Sequence, residues 1–256
     1  MEMNILAVGD VVGSAGLAFL GKKLRSLKRE LAVDFCIVNG ENASMAGMTP
    51  GQAEEIFAAG ADVITLGNHV FNRRELVPYL EDSPYVLRPA NLSPQLPGRG
   101  YGVFDTAKGP VAVLNLVGRC NMDFAPQNPF LLAENLLKEK KAPVTVVEIH
   151  AEATSEKLAM AYLLDGKVAA VYGTHTHVPT ADLRILPGGT ACITDLGMTG
   201  PANSVLGIDP AQSIALFRGD LTSRYQQAPG PCCLNAALFT ADTATGHTVA
   251  VKQVLR

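Results

Sequence analysis

The sequence lacks several features that would assign a protein to a class at once. Its 256 residues include no tryptophan and five cysteines, an odd number without a CxxC pair. Such scattered thiols are typical of a protein whose cysteines stay reduced, so no disulfide framework is expected. No apolar stretch approaches the ~20 residues of a membrane-spanning helix, and the N-terminal segment is acidic where a secretory signal would be basic. We therefore expect a cytoplasmic protein.

The chain lacks the excess of positive charge that binding to a polyanionic partner would require. The chain has 21 Lys and Arg against 24 Asp and Glu, which gives a net charge of −3. No basic face for nucleic acid and no membrane-binding surface are expected. Any link to RNA is therefore expected without a basic nucleic-acid face. The hydrophobic content of 48% predicts a globular chain with a large core, and it is compatible with a homo-oligomer.

Strand and helix patterns alternate along most of the chain. Apolar runs at 4–9, 34–40, 62–68, 101–118, 143–150 and 168–175 predict strands, and helical spacing at 14–31, after Thr49, and at 72–81, 128–141 and 153–166 predicts helices. Ser14 is a candidate cap of the first helix. After residue 182, turns at PGG and TATG predict antiparallel strands. We predict one α/β domain, residues 1–256; a (β/α)₈ barrel is the alternative, which the antiparallel segments disfavour.

Polar residues follow the ends of these apolar strands. They are Asp10, Glu41, Asn42, Asn68, His69, His150, His175, His177 and Asp195. Because the carboxyl ends of strands in an α/β sheet open onto a common crevice, we expect these side chains to converge. Carboxylates, amides and imidazoles together suit Mn, Fe or Zn. One catalytic ion usually has roughly three protein ligands, and the candidate residues are more numerous than that. Their number favours two ions bridged by Glu41 or Asp10.

Each of these residues also has a structural interpretation. Asp10 in GDVVG, Glu41 in NGENA and His69 in GNH could each serve an ordinary turn. His150 is harder to explain in this way, because a buried imidazole is costly without a partner. The GTHTH segment is the most specific signal, since residues 175 and 177 project to the same side of an extended chain. The remaining histidine, His247, is expected to face solvent in the terminal hairpin turn.

Weaker signals lie elsewhere in the chain. Asp182 and Asp195 could orient an imidazole or cap a turn. The glycine-rich segment GMTGP, residues 197–201, with the following NSVLG, residues 203–207, predicts either a loop that covers substrate or an ordinary loop. Arg119 and Arg184 could meet a phosphate, although solvated surface arginines are the simpler interpretation. The cysteines are expected in the core.

Taken in order, the segments GDVVG, NGENA, GNH, IHAEATSEK, GTHTHVPTAD and ITDLGMTGP resemble the YmdB-type metallophosphoesterases of bacteria, a branch of the calcineurin-like phosphoesterase superfamily. This resemblance implies a four-layer α/β/β/α sandwich with two mixed sheets. It also implies a dinuclear centre of iron or manganese, with zinc or magnesium as further options. The activity implied is cleavage of small phosphodiesters, including 2′,3′-cyclic nucleotides, by a hydroxide between the two metals.

The resemblance also implies a role for each site residue. Asp10, Glu41, Asn42 and His177 would hold one metal, and Glu41, Asn68, His150 and His175 the other, with Glu41 as the bridge and His69 as the catalytic proton donor. The wider superfamily has DxH and GDxxD where this chain has GDVVG and GENA, which favours the YmdB branch. An alternative is a regulatory protein that binds a nucleotide or phosphate at this site with incidental turnover.

Overall fold

The structure, a computed structural model, describes residues 1–122, 126–138, 142–220 and 225–256. Its strands are β1 Glu2–Val8, β2 Asp10–Val11, β3 Phe35–Asn39, β4 Val63–Thr65, β5 Val86–Leu87, β6 Tyr101–Phe104, β7 Val111–Val117, β8 Val144–His150, β9 Ala170–Thr174, β10 Arg184–Ile185, β11 Ala191–Ile193, β12 Met198–Pro201, β13 Cys232–Asp242 and β14 Thr248–Leu255. Its helices are α1 Gly13–Glu30, α2 Pro50–Ala59, α3 Leu76–Asp82, α4 Pro129–Leu136, α5 Thr154–Leu163 and α6 Pro210–Phe217. The predicted alternation and the terminal hairpin are confirmed. Residues 139–141, at the end of the predicted helix 128–141, lie outside the described ranges.

The strands form two mixed sheets. In the larger sheet β1, β3, β4 and β5 run parallel, and β13 lies antiparallel between β1 and β12. In the smaller sheet β7, β8, β9 and β11 run parallel, and β6 and β10 pair antiparallel at the two edges. Two separate sheets exclude the (β/α)₈ barrel, because that fold closes a single sheet of parallel strands.

Three hydrophobic clusters show how the layers are stacked. The first, which includes Leu20 and Ile56, joins α1 and α2 to the larger sheet. The second lies between the two sheets and contains Ile5 and Val146. The third, with Met160, joins the smaller sheet to α4 and α5. This order of helices, sheet, sheet and helices is the four-layer α/β/β/α sandwich that the resemblance implied.

The helix that follows β3 begins where its sequence predicts. The Thr49 hydroxyl accepts a hydrogen bond from the backbone N–H of Gln52, and the Gln52 side chain accepts one from the backbone N–H of Thr49. This capping box, with Pro50 at the first helical position, satisfies N–H groups that the helix itself cannot pair.

Two local predictions are wrong. Ser14 does not cap α1, because the helix begins one residue earlier; its hydroxyl donates instead to Gln227 Oε1 at 3.4 Å. His247 is half-buried rather than exposed. The hairpin turn that carries it packs against the segment before β11, where a Cβ atom at Gly189 would stand 2.9 Å from His247 Nδ1. The backbone N–H of Thr248 donates to the Gly189 carbonyl at 2.9 Å, which holds the turn in this place.

Residues 198–201 of the glycine-rich segment form a strand rather than a loop, whereas Leu206 of the following NSVLG lines the same cavity as His69 and His177. Met198–Pro201 forms the buried strand β12, which pairs with β2 and β13. A Cβ atom on Gly16 of α1 would overlap the carbonyl oxygen of Thr199. The segment is therefore part of the larger sheet, against which α1 packs closely.

The cysteines agree only in part with the expectation that they lie in the core. All five are free. Cys36 and Cys192 are buried as predicted, Cys232 and Cys233 are half-buried, and Cys120 is exposed because it follows the end of β7 in a surface turn.

None of the helices in the described ranges combines the length and the apolar character that a membrane span requires.

Candidate metal centre

The carboxyl ends of strands from both sheets meet at one site. Its side chains come from β2, from the loops after β3, β4 and β9, and from the end of β8, and they are Asp10, Glu41, Asn42, Asn68, His69, His150, His175 and His177. The predicted convergence of these residues is therefore what the geometry shows. It follows from the parallel order of the strands, which places their carboxyl ends at the same edge.

The tightest group of atoms surrounds Nε2 of His150. This nitrogen lies 3.0 Å from Glu41 Oε1, 3.0 Å from Asn68 Oδ1 and 3.1 Å from His175 Nδ1. His150 and Glu41 are completely buried. A Cβ atom at Gly67 would overlap both Glu41 Oε2 and His150 Nε2, so the glycine before Asn68 keeps this space open.

A buried hydrogen-bond chain fixes the orientation of His150. Its Nδ1 lies 2.9 Å from Thr174 Oγ1, and the Thr174 hydroxyl donates to Glu148 Oε1 at 2.8 Å. The Thr174 oxygen therefore accepts the proton of Nδ1, and the neutral ring presents the lone pair of Nε2 to the site. Asn39 and Tyr172 donate to Glu148, and burial raises the pKa of this carboxyl group to about 7.

Asp10, Asn42 and His177 form a second group beside the first. His177 Nε2 lies 3.1 Å from Asn42 Nδ2 and 3.7 Å from Asp10 Oδ1. The Leu206 carbonyl lies 3.2 Å from His177 Nδ1, and because a carbonyl only accepts, Nδ1 carries the proton and Nε2 faces the group. Asp10 Oδ2 accepts a hydrogen bond from the backbone N–H of His175 at 3.2 Å, which joins the two groups.

The electrostatics of the site suit a cation. Burial raises the pKa of Asp10 and of Glu41 and lowers the pKa of His150 and of His175 to about 4. Within the described part of the chain, Glu41 Oε1 has no hydrogen-bond partner although His150 Nε2 is 3.0 Å away, because both atoms present lone pairs. Ligand atoms of Glu41, His150 and His175 lie within 4.8 Å of one another. A metal ion would satisfy these crowded acceptors, so the residues fit the metal that the resemblance implied.

His69 lies at the boundary between this centre and the open space above it. Its Nδ1 is 3.3 Å from Asn42 Oδ1 and 3.4 Å from Glu41 Oε1, and its side chain is 34% exposed. Its backbone N–H donates to Glu41 Oε2 at 3.3 Å. One edge of the imidazole therefore faces the buried acceptors, and the remainder of the ring faces solvent.

A cleft of about 1010 Å³ opens above the centre. Its lining includes Asn42, His69, His175 and His177 from the site, together with Val12, Ser44, Met45, Ala46, Asn72, Arg73, Glu152, Thr176, Leu206, Ile208 and Tyr225. The cleft therefore offers both polar and apolar surface to a ligand that reaches the centre.

A buried ion pair supports the loop that carries the two GTHTH histidines. Lys157 Nζ lies 2.8 Å from Asp195 Oδ2, and the same oxygen accepts hydrogen bonds from the backbone N–H and the hydroxyl of Thr176 at 3.1 and 2.7 Å. His175 and His177 have φ angles of 96° and 65°, a conformation that costs energy in residues other than glycine. Asp195 therefore stabilises the backbone of this loop through its hydrogen bonds with Thr176. Within the described residues it is not hydrogen-bonded to an imidazole.

The other sequence candidates lie outside the site. Asp182 accepts hydrogen bonds from the Thr180 hydroxyl and the Thr194 backbone, so it stabilises a turn. Arg119 and Arg184 are exposed, which agrees with the simpler interpretation of surface arginines.

Replacing Lys157 with alanine is expected to lower the free energy of unfolding by about 3–5 kcal/mol, because the Asp195 carboxylate would stay buried without its counter-charge. Lys157 is 3% exposed and Asp195 1%. Denaturant unfolding measures the change, and Lys167→Ala, at an exposed position just after the same helix, is the matched control. The double variant Lys157→Met with Asp195→Asn should regain part of the loss. A Lys157→Ala protein as stable as the Lys167→Ala control would contradict a stabilising ion pair.

The fold and the site together define a metallophosphoesterase. The sequence model of the YmdB-like protein family matches residues 6–254, and the chain belongs to this family. The chain is 42% identical over 258 residues to the 2′,3′-cyclic-nucleotide 2′-phosphodiesterase of Bacillus subtilis (strain 168), with 99% of this chain and 97% of the relative covered.

Two solved structures have the same fold. A crystal structure described as a novel phosphatase from Mycoplasma pneumoniae superposes with a TM-score of 0.94 at 34% identity, covering 100% of this chain and 94% of the other. A hypothetical protein from Thermus thermophilus superposes with a TM-score of 0.92 at 36% identity, covering 99% of each chain. The four-layer architecture is therefore common to this chain and to both structures.

Proposed function

We propose that this protein hydrolyses phosphodiesters, with 2′,3′-cyclic nucleotides as substrates, at a centre of two metal ions. The observation that carries the proposal is the buried set of oxygen and nitrogen ligand atoms around His150 Nε2, beneath an open cleft. The similarity to the Bacillus subtilis enzyme supports the choice of substrate.

The two groups of side chains divide the ligands between two positions. One ion would be held by Glu41, Asn68, His150 and His175, and the other by Asp10, Glu41, Asn42 and His177. Asn42 would turn its amide so that the oxygen replaces the nitrogen that now faces His177. Two ions at these positions would supply a nucleophilic water and neutralise charge on the phosphoryl oxygens. Oxygen and nitrogen donors without a thiolate suit iron or manganese.

His69 is the proposed proton donor to the leaving oxygen. Its Nδ1 lies 3.4 Å from Glu41 Oε1, so the ring is anchored at the edge of the metal centre. The exposed edge of the ring faces the cleft, where a departing alkoxide can take a proton. His69 would therefore act on the substrate and need not bind a metal.

The test is metal analysis of the purified protein together with a panel of 2′,3′-cyclic, 3′,5′-cyclic and linear RNA substrates. We expect about two ions per chain, in keeping with a dinuclear centre, and hydrolysis that a chelator abolishes and that manganese or iron restores. Nucleotide binding without turnover in the metal-loaded protein would contradict the proposal and support the regulatory alternative.

A further inference from the structure

Arg73 is the one arginine or lysine among the described residues that line the cleft. It follows His69 in the segment between β4 and α3. The backbone N–H of Asn72 donates to the His69 carbonyl at 2.9 Å, and that of Leu76 donates to the Arg73 carbonyl at 3.0 Å. This turn places the proposed proton donor and a permanent positive charge on the same cleft.

The guanidinium group of Arg73 is held in place, but only part of its hydrogen-bonding capacity is satisfied by the protein. Its Nη2 donates to the Ser44 carbonyl at 3.0 Å, and a Cβ atom at Gly47 would stand 3.0 Å from its Cγ. Its Nε is buried and has no hydrogen-bond partner within the described part of the chain. An arginine has five N–H donors in a planar fork that matches a phosphate group. The bond to the Ser44 carbonyl uses one of these donors, so the guanidinium has further N–H groups to offer a ligand oxygen.

The charge of the scissile phosphodiester does not explain why the Arg73 guanidinium lies on the cleft. In the proposed function the negative charge of that diester is neutralised at the metal centre, so a further cation on the cleft is free to meet another anion. The volume of about 1010 Å³ is at the upper end of the roughly 300–1,000 Å³ of small-molecule sites. There is thus room for a substrate that extends beyond one cyclic phosphate.

We infer that Arg73 binds a second phosphate group of the substrate. The preferred substrates are then 2′,3′-cyclic nucleotides that carry a further phosphate, as a 5′-phosphate or as the link to a preceding nucleotide. The inference rests on the proposed function, because it assumes that the diester reacts at the metal centre. Arg73 would determine which diesters are preferred without taking part in the chemistry.

The experiment compares adenosine 2′,3′-cyclic phosphate with and without a 5′-phosphate, and with a dinucleotide that ends in the same cyclic phosphate. We expect kcat/KM of the protein to be about tenfold to 100-fold higher for both substrates with a second phosphate, the range of hydrogen bonds to charged groups. Arg73→Ala should remove this preference, and Arg73→Lys should keep part of it, since lysine supplies charge without the fork. Arg74→Ala, at the exposed next position, should keep it fully.

A structural role of Arg73 would lower kcat/KM for all substrates by the same factor and leave their ratio unchanged, which would overturn the inference. Equal hydrolysis of all three by the unmodified protein would overturn it while leaving the proposed function intact. Calorimetric binding of adenosine 3′,5′-bisphosphate against adenosine 3′-monophosphate gives a readout without turnover. A binding preference for the bisphosphate that depends on Arg73, in a protein that hydrolyses no diester, would support the subsite and reject the proposed function; no such preference would overturn the inference.

Discussion

Replacing Glu41 with alanine is expected to empty both metal positions and to remove nearly all hydrolysis of a 2′,3′-cyclic nucleotide. Its carboxylate is completely buried, and Oε1 lies 3.0 Å from His150 Nε2 without a hydrogen bond. Since this is the residue proposed for both ions, its loss weakens both positions together. The loss of turnover should be at least as large as the roughly 100-fold to 10,000-fold effect of a general acid. Elemental analysis and the diesterase assay measure the two effects.

Two controls separate this result from misfolding. Glu41→Gln keeps the size of the side chain but removes the charge, so its metal-free form should be at least as stable as the metal-free parent, in which the buried Glu41 Oε1 has no hydrogen-bond partner within the described residues. Glu55→Ala removes an exposed carboxylate from α2 and should leave metal content and turnover unchanged. Full metal occupancy in Glu41→Ala would remove Glu41 as the bridge.

Replacing His69 with alanine is expected to lower kcat by roughly 100-fold to 10,000-fold, as for the loss of a well-placed general acid, while metal content is unchanged. His69 faces Asn42 Oδ1 and Glu41 Oε1 with one nitrogen, and its side chain is 34% exposed. The loss should be large for a cyclic nucleotide, whose alkoxide leaving group needs a proton. It should be smaller for an aryl phosphodiester, whose phenolate leaves without one.

Comparing the two leaving groups tests whether His69 donates the proton. Equal losses with the cyclic nucleotide and the aryl diester would indicate that His69 does not donate the proton. A drop in metal content would instead make His69 a ligand. The ratio of the two kcat values, measured for the parent protein and the variant with metal content determined in parallel, decides between these outcomes.

Much of the fold was predictable because its signals are local. The apolar runs that become β3 and β8 are covered on both faces and read as continuous hydrophobic stretches. The Thr49 capping box marks the start of α2 within four residues of sequence. The strand β12 was missed because its glycine and proline are typical of loops, and its pairing with β2 and β13 joins distant parts of the chain.

The site was predictable to a similar extent. Residues at strand ends converge by a general rule of α/β sheets, so the candidate site residues needed no structure to be proposed, and the role of His69 as proton donor was implied by the family resemblance. Glu148 and Lys157 carried no such signal, because each acts through partners distant in sequence: Thr174 for the first and Asp195 for the second. The roles of single residues, one domain over 1–256, a cytoplasmic location and the oligomeric state stay predictions.

The sequence by itself determined which chemical groups the protein has and where strands and helices place them, because periodicity, caps and strand-end residues depend on near neighbours along the chain. Only the tertiary structure decided how those groups are oriented. The Nε2 lone pair of His150 faces Glu41 because Thr174 and Glu148 hold the other side of the ring, and the GTHTH loop keeps its unusual backbone because Asp195 binds Thr176. Such contacts join segments far apart in sequence, so they exist only once both sheets have formed.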